Sequence, residues 1–357
     1  MSFKKHISFP SIEQFRTIIA NINRHHNFVG LDEQGEAIYD TTKPKPVLTF
    51  TGTVKLHGTN FGVVYNEIDG IWAQSRENII TPEKDNAGSA FFVQVNKAVF
   101  MELFQQVIDK YSIDPKTNNI AIYAEWAGKG IQKNVAISNI DKSAFIIGLK
   151  IAPFHIEGED APKSFWLDHS FLKRPENRIY NITDYKTYSI DIDFNVPQLS
   201  QNKIIDMTIE VEDECPVGQA FGFAGIGEGI VFSHLASDGT MYIFKSKGEK
   251  HSKASKVKTL KPVDDEKINK IITVANEVCK GWRLEQMLEK TCDFMNGGKQ
   301  EMKQIGEFIK NVNQDIIKEE SDIIAGAGLI PKDINSKVSE ICRTYFIDKL
   351  NEAVGIK

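Results

Sequence analysis

Lysine, arginine and carboxylate side chains recur in this sequence in short groups that suit the handling of phosphate. The first is Val54-Lys-Leu-His-Gly-Thr-Asn60, where Lys55 stands at a strand end and Gly58 lets backbone approach a ligand closely. Alone this signal is weak, because most lysines are solvated surface residues. Four more groups follow: Ser75-Arg76, Tyr123-Ala-Glu125-Trp126, Gly227-Glu228-Gly229-Ile-Val231 and Lys245-Ser-Lys247. A neutral amine can attack a phosphorus centre, and a lysine with a free pKa of about 10.4 becomes neutral only where its surroundings depress it. Lys245 and Lys247 near Lys55 would do so by like-charge repulsion while also holding a phosphate. Arg76 offers a planar, permanently charged fork for a phosphate. Glu125 and Glu228 make little electrostatic sense beside phosphates unless they bind a metal ion, sugar hydroxyls or the lysine itself. Plainer readings stand beside each: an alternating solvated pair for Lys245 and Lys247, a surface ion pair with Glu77 or Glu83 for Arg76, a solvent-facing carboxylate for Glu125, a strand-start amide for Asn60, and core packing for Leu56 and Val231.

Such residues need strands to position them. From about 45 to 250, short β-branched and aromatic runs predict strands over Val47–Val54, Phe61–Tyr65, Ile120–Trp126, Ala144–Ile151, Gly229–Phe232 and Met241–Phe244. Helical spacing is expected near 11–24, opened by Pro10-Ser11, and over 89–110, where Phe92, Val95, Val99 and Leu103 recur. This predicts an α+β domain with largely antiparallel sheets. After about 260 the period changes. Asp264 is the expected N-cap of a helix carrying Ile268, Ile271, Ile272, Ala275, Cys279 and Trp282 on one face. A second helix carries Met302, Ile305, Ile309, Val312 and Ile316, and a third Val338, Ile341, Cys342 and Tyr345, with turn signals at Asn296-Gly-Gly298 and Gly326-Ala-Gly328. The expected division is 1–255 for the α+β domain and 256–357 for a small all-helical C-terminal domain.

The order K-x-H-G, S-R, Y-x-E-W, E-G-I-V and K-x-K, each on or beside a strand, resembles the covalent nucleotidyltransferase superfamily of ligases and capping enzymes. Within it, His57 and Asn60 of Lys-Leu-His-Gly-Thr-Asn-Phe61 resemble the RNA ligase 2-type family, whose helical C-terminal domain the tail also fits. The resemblance covers about residues 1–255. It implies an adenylyltransferase fold and an ATP-dependent ligase that joins RNA 3′-hydroxyl and 5′-phosphate ends. In it Lys55 attacks the α-phosphate of ATP to give a lysyl-AMP intermediate. By the same resemblance Glu125 contacts ribose, Glu228 serves metal-assisted transfer with Mg²⁺ or Mn²⁺, and Lys245 and Lys247 hold phosphate. Arg76 meets a phosphate, Asn60 supports transfer to the RNA end, and Leu56 and Val231 flank adenine. The family's adenine-stacking aromatic, followed by an acidic residue, has no direct equivalent here, since Gly148 and Leu149 stand there; Phe145 is the expected stacker, shifted in register. A DNA ligase or GTP-using capping enzyme is disfavoured by His57 and the helical tail. A non-catalytic RNA-binding relative is disfavoured by the complete set Lys55, Glu125, Glu228, Lys245 and Lys247.

The 357 residues allow about two domains, and 41% apolar with 25% charged residues is an ordinary globular composition. A net charge of −5 argues against coating nucleic acid by bulk charge. The positive residues are instead local: Lys250, Lys253, Lys256, Lys258 and Lys261 follow Lys247 and read either as a phosphate-binding footprint or as a solvated linker. Cys215, Cys279, Cys292 and Cys342 are far apart, without zinc spacing, and read as reduced buried thiols. With no leader-like start and no bilayer-length apolar run, a cytoplasmic or other intracellular protein is expected, with no membrane partner.

Overall fold

The computed structural model describes residues 2–353 apart from 32–34, 36, 41, 86, 157, 159, 253–258 and 293–298. The turn signal at 296–298 and three lysines of the basic run, Lys253, Lys256 and Lys258, lie outside the described residues. In chain order the strands are β1 Glu13–Gln14, β2 Phe28–Leu31, β3 Ala37–Tyr39, β4 Val47–Val54, β5 Thr59–Asn66, β6 Gly70–Ser75, β7 Ile79–Ile80, β8 Asn118–Ala127, β9 Ser143–Pro153, β10 Phe165–Leu167, β11 Ile179–Asn181, β12 Thr187–Asp193, β13 Gly229–Leu235 and β14 Met241–Lys247. The helices are α1 Phe15–Asn27, α2 Ser89–Val95, α3 Lys97–Tyr111, α4 Gln201–Asp213, α5 Pro216–Ala220, α6 Glu249–Ser252, α7 Asp265–Val278, α8 Gly281–Cys292, α9 Ile305–Glu319, α10 Ser321–Gly326 and α11 Pro331–Ala353. The chain is thus α+β, rich in antiparallel sheet, with a helical C-terminal region.

By its internal contacts it forms two units, Met1–Ile22 with Val47–Lys261 and Asn23–Pro46 with Pro262–Lys357. The first holds two sheets. One has the order β1-β14-β13-β4-β12 and is antiparallel except for the β1–β14 pair. The other has the order β10-β9-β8-β5-β6-β7, with β11 added parallel to β9. Period-two alternation sets what each strand presents. On β4, Phe50 and Val54 enter the core that also holds Phe15, Phe232 and Phe244, while Thr51 and Thr53 face a cavity. On β8, Ile120, Ile122, Ala124 and Trp126 pack on α2 and α3, whereas Ala121, Tyr123 and Glu125 point the other way. With both faces covered, β8 reads as an unbroken apolar run, Ile-Ala-Ile-Tyr-Ala, rather than as alternation.

Phe100, Leu103, Phe104 and Val107 of α3 are buried at i, i+3, i+4 and i+7, the stripe an amphipathic helix needs. The single helix expected over 89–110 is two, divided at Asn96, whose Nδ2 donates to Phe92 O at 3.0 Å. The break rotates the face, so Val95 is exposed although it sits at helical spacing.

In the second unit, Asp264 caps α7 by accepting from Lys267 N at 2.9 Å. Its helix stops at Val278, so Trp282 falls on α8 and is exposed rather than continuing the apolar face. Phe308, Val312 and Ile316 of α9 meet Val338, Cys342 and Phe346 of α11 in one core. All four cysteines are free and buried. Among the described residues no helix is long and apolar enough to cross a membrane.

Candidate active site

Lys55 leaves the end of β4 with its backbone N–H donating to Gly229 O at 2.8 Å, which ties it to the first residue of β13. Gly229 has φ +140°, and a Cβ there would stand 2.2 Å from Ser246 O, so no other residue brings β13 and β14 this close. The β13–β14 register sets Gly229 opposite Lys247 and Val231 opposite Lys245. Alternation then gathers Lys55, Lys245 and Lys247 at one end of the same sheet face, with Glu228 among them.

Glu228, whose side chain is only 2% exposed, is the centre of the cluster. Its Oε2 accepts from Lys55 Nζ at 2.7 Å and lies 3.3 Å from His57 Nδ1; its Oε1 is 2.6 Å from Lys247 Nζ. Burial works to raise its pKa, but the bond from His57, the charge of Lys55 and the bonds from Lys247 and Lys55 outweigh it and hold the carboxyl well below the usual range. Burial, then the like charges of Lys247, Lys55 and Arg76, lower the pKa of Lys245, with Glu228 opposing. The repulsion anticipated between these lysines therefore registers at Lys245, while Lys55 faces a carboxylate.

Glu125 stands opposite Asn60 across the β5–β8 pair and accepts from Gly58 N at 3.0 Å. A Cβ on residue 58 would lie 2.5 Å from Trp126 O, which makes glycine necessary at this crossing. Arg76 is exposed just after β6, with Nε 3.5 Å from Glu77 Oε1, the surface pair weighed for it. Its charge still reaches Lys245.

Between the two sheets lies a cavity of about 320 Å³. Lys55, Leu56, Glu125 and Val231 line it together. Phe145 does not: it is fully buried in a ring cluster with Tyr180, Tyr185 and Phe221, which corrects the expectation that it stacks on a base. The residue presented instead is Ile147. Tyr123 pairs with Gly148 and Ala124 with Ile146, so Ile147 is the extra residue of a β-bulge that keeps Ile146 and Leu149 in the outer core.

The model of the RNA ligase family matches residues 48–247, more than half of the 357-residue chain. The chain belongs to the RNA ligase family. Naegleria gruberi RNA ligase with PPi is similar over 70% of this chain and 58% of that one, at 19% identity and a TM-score of 0.40. Variants of that ligase with ATP and Mn, and with AMP and Mn, align at 19% and 18% identity, each with a TM-score of 0.41 over 70% of this chain and 58% of theirs. This chain thus spans less than two thirds of the length of those ligases. No match was found among curated proteins.

In this RNA ligase family member the contact of His57 with Glu228 is the feature least visible in the sequence, where His57 served only to mark the family; its two-residue spacing from Lys55 was the available signal. Of the basic run, Lys250 Nζ lies 3.4 Å from Asp213 Oδ1, and Lys261 lines a second cavity with Arg16, Lys245 and Lys247.

The cluster also has a pH signature. Burial raises the Glu125 pKa to about 7, against Lys55, the Gly58 N–H and His57, which lower it. A carboxyl that holds its proton more tightly when folded favours the fold below its unfolded pKa, and this contribution is lost as pH rises through about 7. Glu125→Gln keeps an acceptor for Gly58 without the charge. The ligand-free variant is expected to match the parent near pH 4.5 and to exceed it by on the order of 1–3 kcal/mol at pH 8, read by urea titration. A constant difference across that range would contradict the assignment.

Proposed function

We propose that this chain is an ATP-dependent RNA ligase that transfers AMP from ATP first to Lys55, breaking the α–β phosphoanhydride and releasing pyrophosphate, then to an RNA 5′-phosphate, and finally seals that end to a 3′-hydroxyl with release of AMP. One observation carries the reading: an amine, Lys55, lines a largely apolar cavity and shares the Glu228 carboxylate with Lys247, with Lys245 on the same sheet face. A base fits the apolar part of that cavity, between Val231 and Ile147, and a triphosphate suits the lysine end. In this reading Glu125 holds ribose hydroxyls, Lys245 and Lys247 hold the phosphates, Arg76 meets a phosphate at the rim and Asn60 supports transfer to RNA. Residues 1–255 carry these steps, and 256–357 form the helical domain.

Among the described residues no group of three or more His, Cys, Asp or Glu stands ready to hold a metal ion. Glu228 is the carboxylate nearest the lysines, so a divalent cation, Mg²⁺ or Mn²⁺, would rest on Glu228, phosphate oxygens and water; when bound it neutralises phosphate charge. The chain's own part is to release Lys55 and Lys247 from Glu228, the first to point its neutral amine at the α-phosphate and the second to meet phosphate, with His57 remaining on the carboxylate.

Incubation with α-labelled ATP and a divalent cation is expected to leave one label per chain on the protein, and addition of 5′-phosphorylated RNA with an apposed 3′-hydroxyl to move it onto RNA. Label that never joins the protein overturns the reading; labelling from GTP, or transfer only to DNA, favours a capping enzyme or DNA ligase.

A further inference from the structure

The outer edge of β9 is shared by two short strands. β10 pairs with it at 149–151 and β11 at 144–146, which leaves Ile147 and Gly148 between them. The segment after β10 and the turn after β11 contribute His169 and Thr183 to the cavity that Ile147 and Gly148 also line. Across this sheet the order is Asn60 on β5, Glu125 on β8, Ile147 on β9 and His169 beyond the edge. If phosphate is held at Lys55 and ribose at Glu125, a base over Ile147 presents its far edge to His169 and Thr183.

One buried amide fixes the hydrogen-bonding sense of Thr183 and holds the backbone of His169. Asn181 is 0% exposed. Its Oδ1 accepts from Thr183 N at 3.0 Å and from Thr183 Oγ1 at 2.7 Å, and its Nδ2 donates to His169 O at 2.6 Å and Leu172 O at 3.0 Å. Four bonds of matched polarity leave no freedom to flip the amide. Thr183 has spent its single hydroxyl proton on Asn181, so towards a ligand Oγ1 is an acceptor only. The same Nδ2 lies 3.4 Å from His169 Nδ1, but both of its protons are taken by the carbonyls of His169 and Leu172, so it places the ring without setting its tautomer. Burial, with Asp168 and Asn181 opposing, brings His169 down to about 4, which keeps the ring neutral near pH 7. The nearby Asp168 carboxylate is occupied by Ser170 N, Ser170 Oγ and Lys110 Nζ.

We propose that Thr183, oriented by Asn181, reads the purine of the nucleotide, with the His169 ring lining the cavity beside it: Thr183 Oγ1 accepts from the exocyclic amine of adenine. Guanine carries a carbonyl oxygen where adenine carries that amine, and a carbonyl against Thr183 sets lone pair against lone pair. Thr183 therefore selects adenine over guanine. The inference rests on the nucleotide-binding reading above.

The test is calorimetric binding to the full chain of the α,β-methylene forms of ATP, GTP and purine riboside triphosphate, the last lacking the exocyclic amine. None can transfer its nucleotide to the protein. The parent should bind the ATP form about 10- to 100-fold tighter than either other. Thr183→Val should bind the ATP and purine riboside forms alike, and Thr183→Ser should restore the gap. Retention of the full gap by Thr183→Val, or equal weakening of all three nucleotides, overturns the inference. If the parent is labelled by α-labelled ATP in that event, only base reading has failed; if it binds none of the three, the nucleotide reading has failed with it.

Discussion

Lys55→Arg is expected to keep the fold and abolish labelling from α-labelled ATP, by at least about 10³-fold, because the step requires a lone pair on nitrogen. The guanidinium preserves a positive charge opposite Glu228, whose Oε2 the lysine meets at 2.7 Å, so the buried carboxylate is not stranded. It is also protonated at every accessible pH, and that removes the nucleophile. Lys55→Ala removes charge and amine together. Lys247 and His57 would remain on Glu228, so this variant should fold with a modestly lower melting temperature. The comparison separates chemistry from stability, since both variants should be silent while only alanine unsettles the cluster. A further outcome tests the order of steps. The last transfer, attack by a 3′-hydroxyl on an RNA end that already carries AMP, does not use the Lys55 amine, so both variants should retain a measurable part of it. Persistent labelling of Lys55→Arg would move the nucleophile to Lys245 or Lys247.

What the sequence made legible was whatever depends on period and spacing. The run Val47–Val54 is read directly because Thr49, Thr51 and Thr53 alternate with Leu48, Phe50, Gly52 and Val54, and the glycines at 58 and 229 mark crossings where a Cβ would meet backbone. The lysines of β14 share a face by period two alone. Long-range pairing was the obscure part. Nothing near Phe145 announces that the next strand face is interrupted by a bulge at Ile147, because the bulge arises from the register of β8 against β9. The His57–Glu228 contact joins residues far apart in the chain, and the Asn181 network draws on two turns whose residues are unremarkable in sequence. Polar residues that work by orienting others leave little local pattern. The helix break at Asn96 and the stop at Val278 were hidden for another reason: apolar spacing runs across both points, and the helices end where the backbone of Asn96 (φ −103°, ψ 21°) and of Cys279 (φ −85°, ψ 55°) leaves helical geometry.

Arg283→Met is expected to cost about 3–5 kcal/mol, comparable to much of a domain's whole stability, although the residue lies outside the cavity. Arg283 is 1% exposed on α8, and its guanidinium joins three points of the helical unit. Nε donates to Asp315 Oδ2 on α9 at 2.8 Å, Nη1 to Val278 O at the end of α7 at 2.5 Å, and Nη2 to Glu320 Oε1 at 2.5 Å. Methionine matches the stem and removes all three bonds at once, leaving a helix-end carbonyl and two partly buried carboxylates without their cation. If the cost lies in those stranded carboxylates rather than in lost packing, adding Asp315→Asn and Glu320→Gln to Arg283→Met should recover more than half of it. Urea unfolding of the full chain, followed by hydrogen exchange of the α8 and α9 amides, reads the transition of this unit apart from that of the first, which holds three of the four tryptophans. A recovery near zero would place the cost in packing, whereas a loss below about 1 kcal/mol in the single variant would mean that water replaces the guanidinium and the helix ends are wetter than their burial implies.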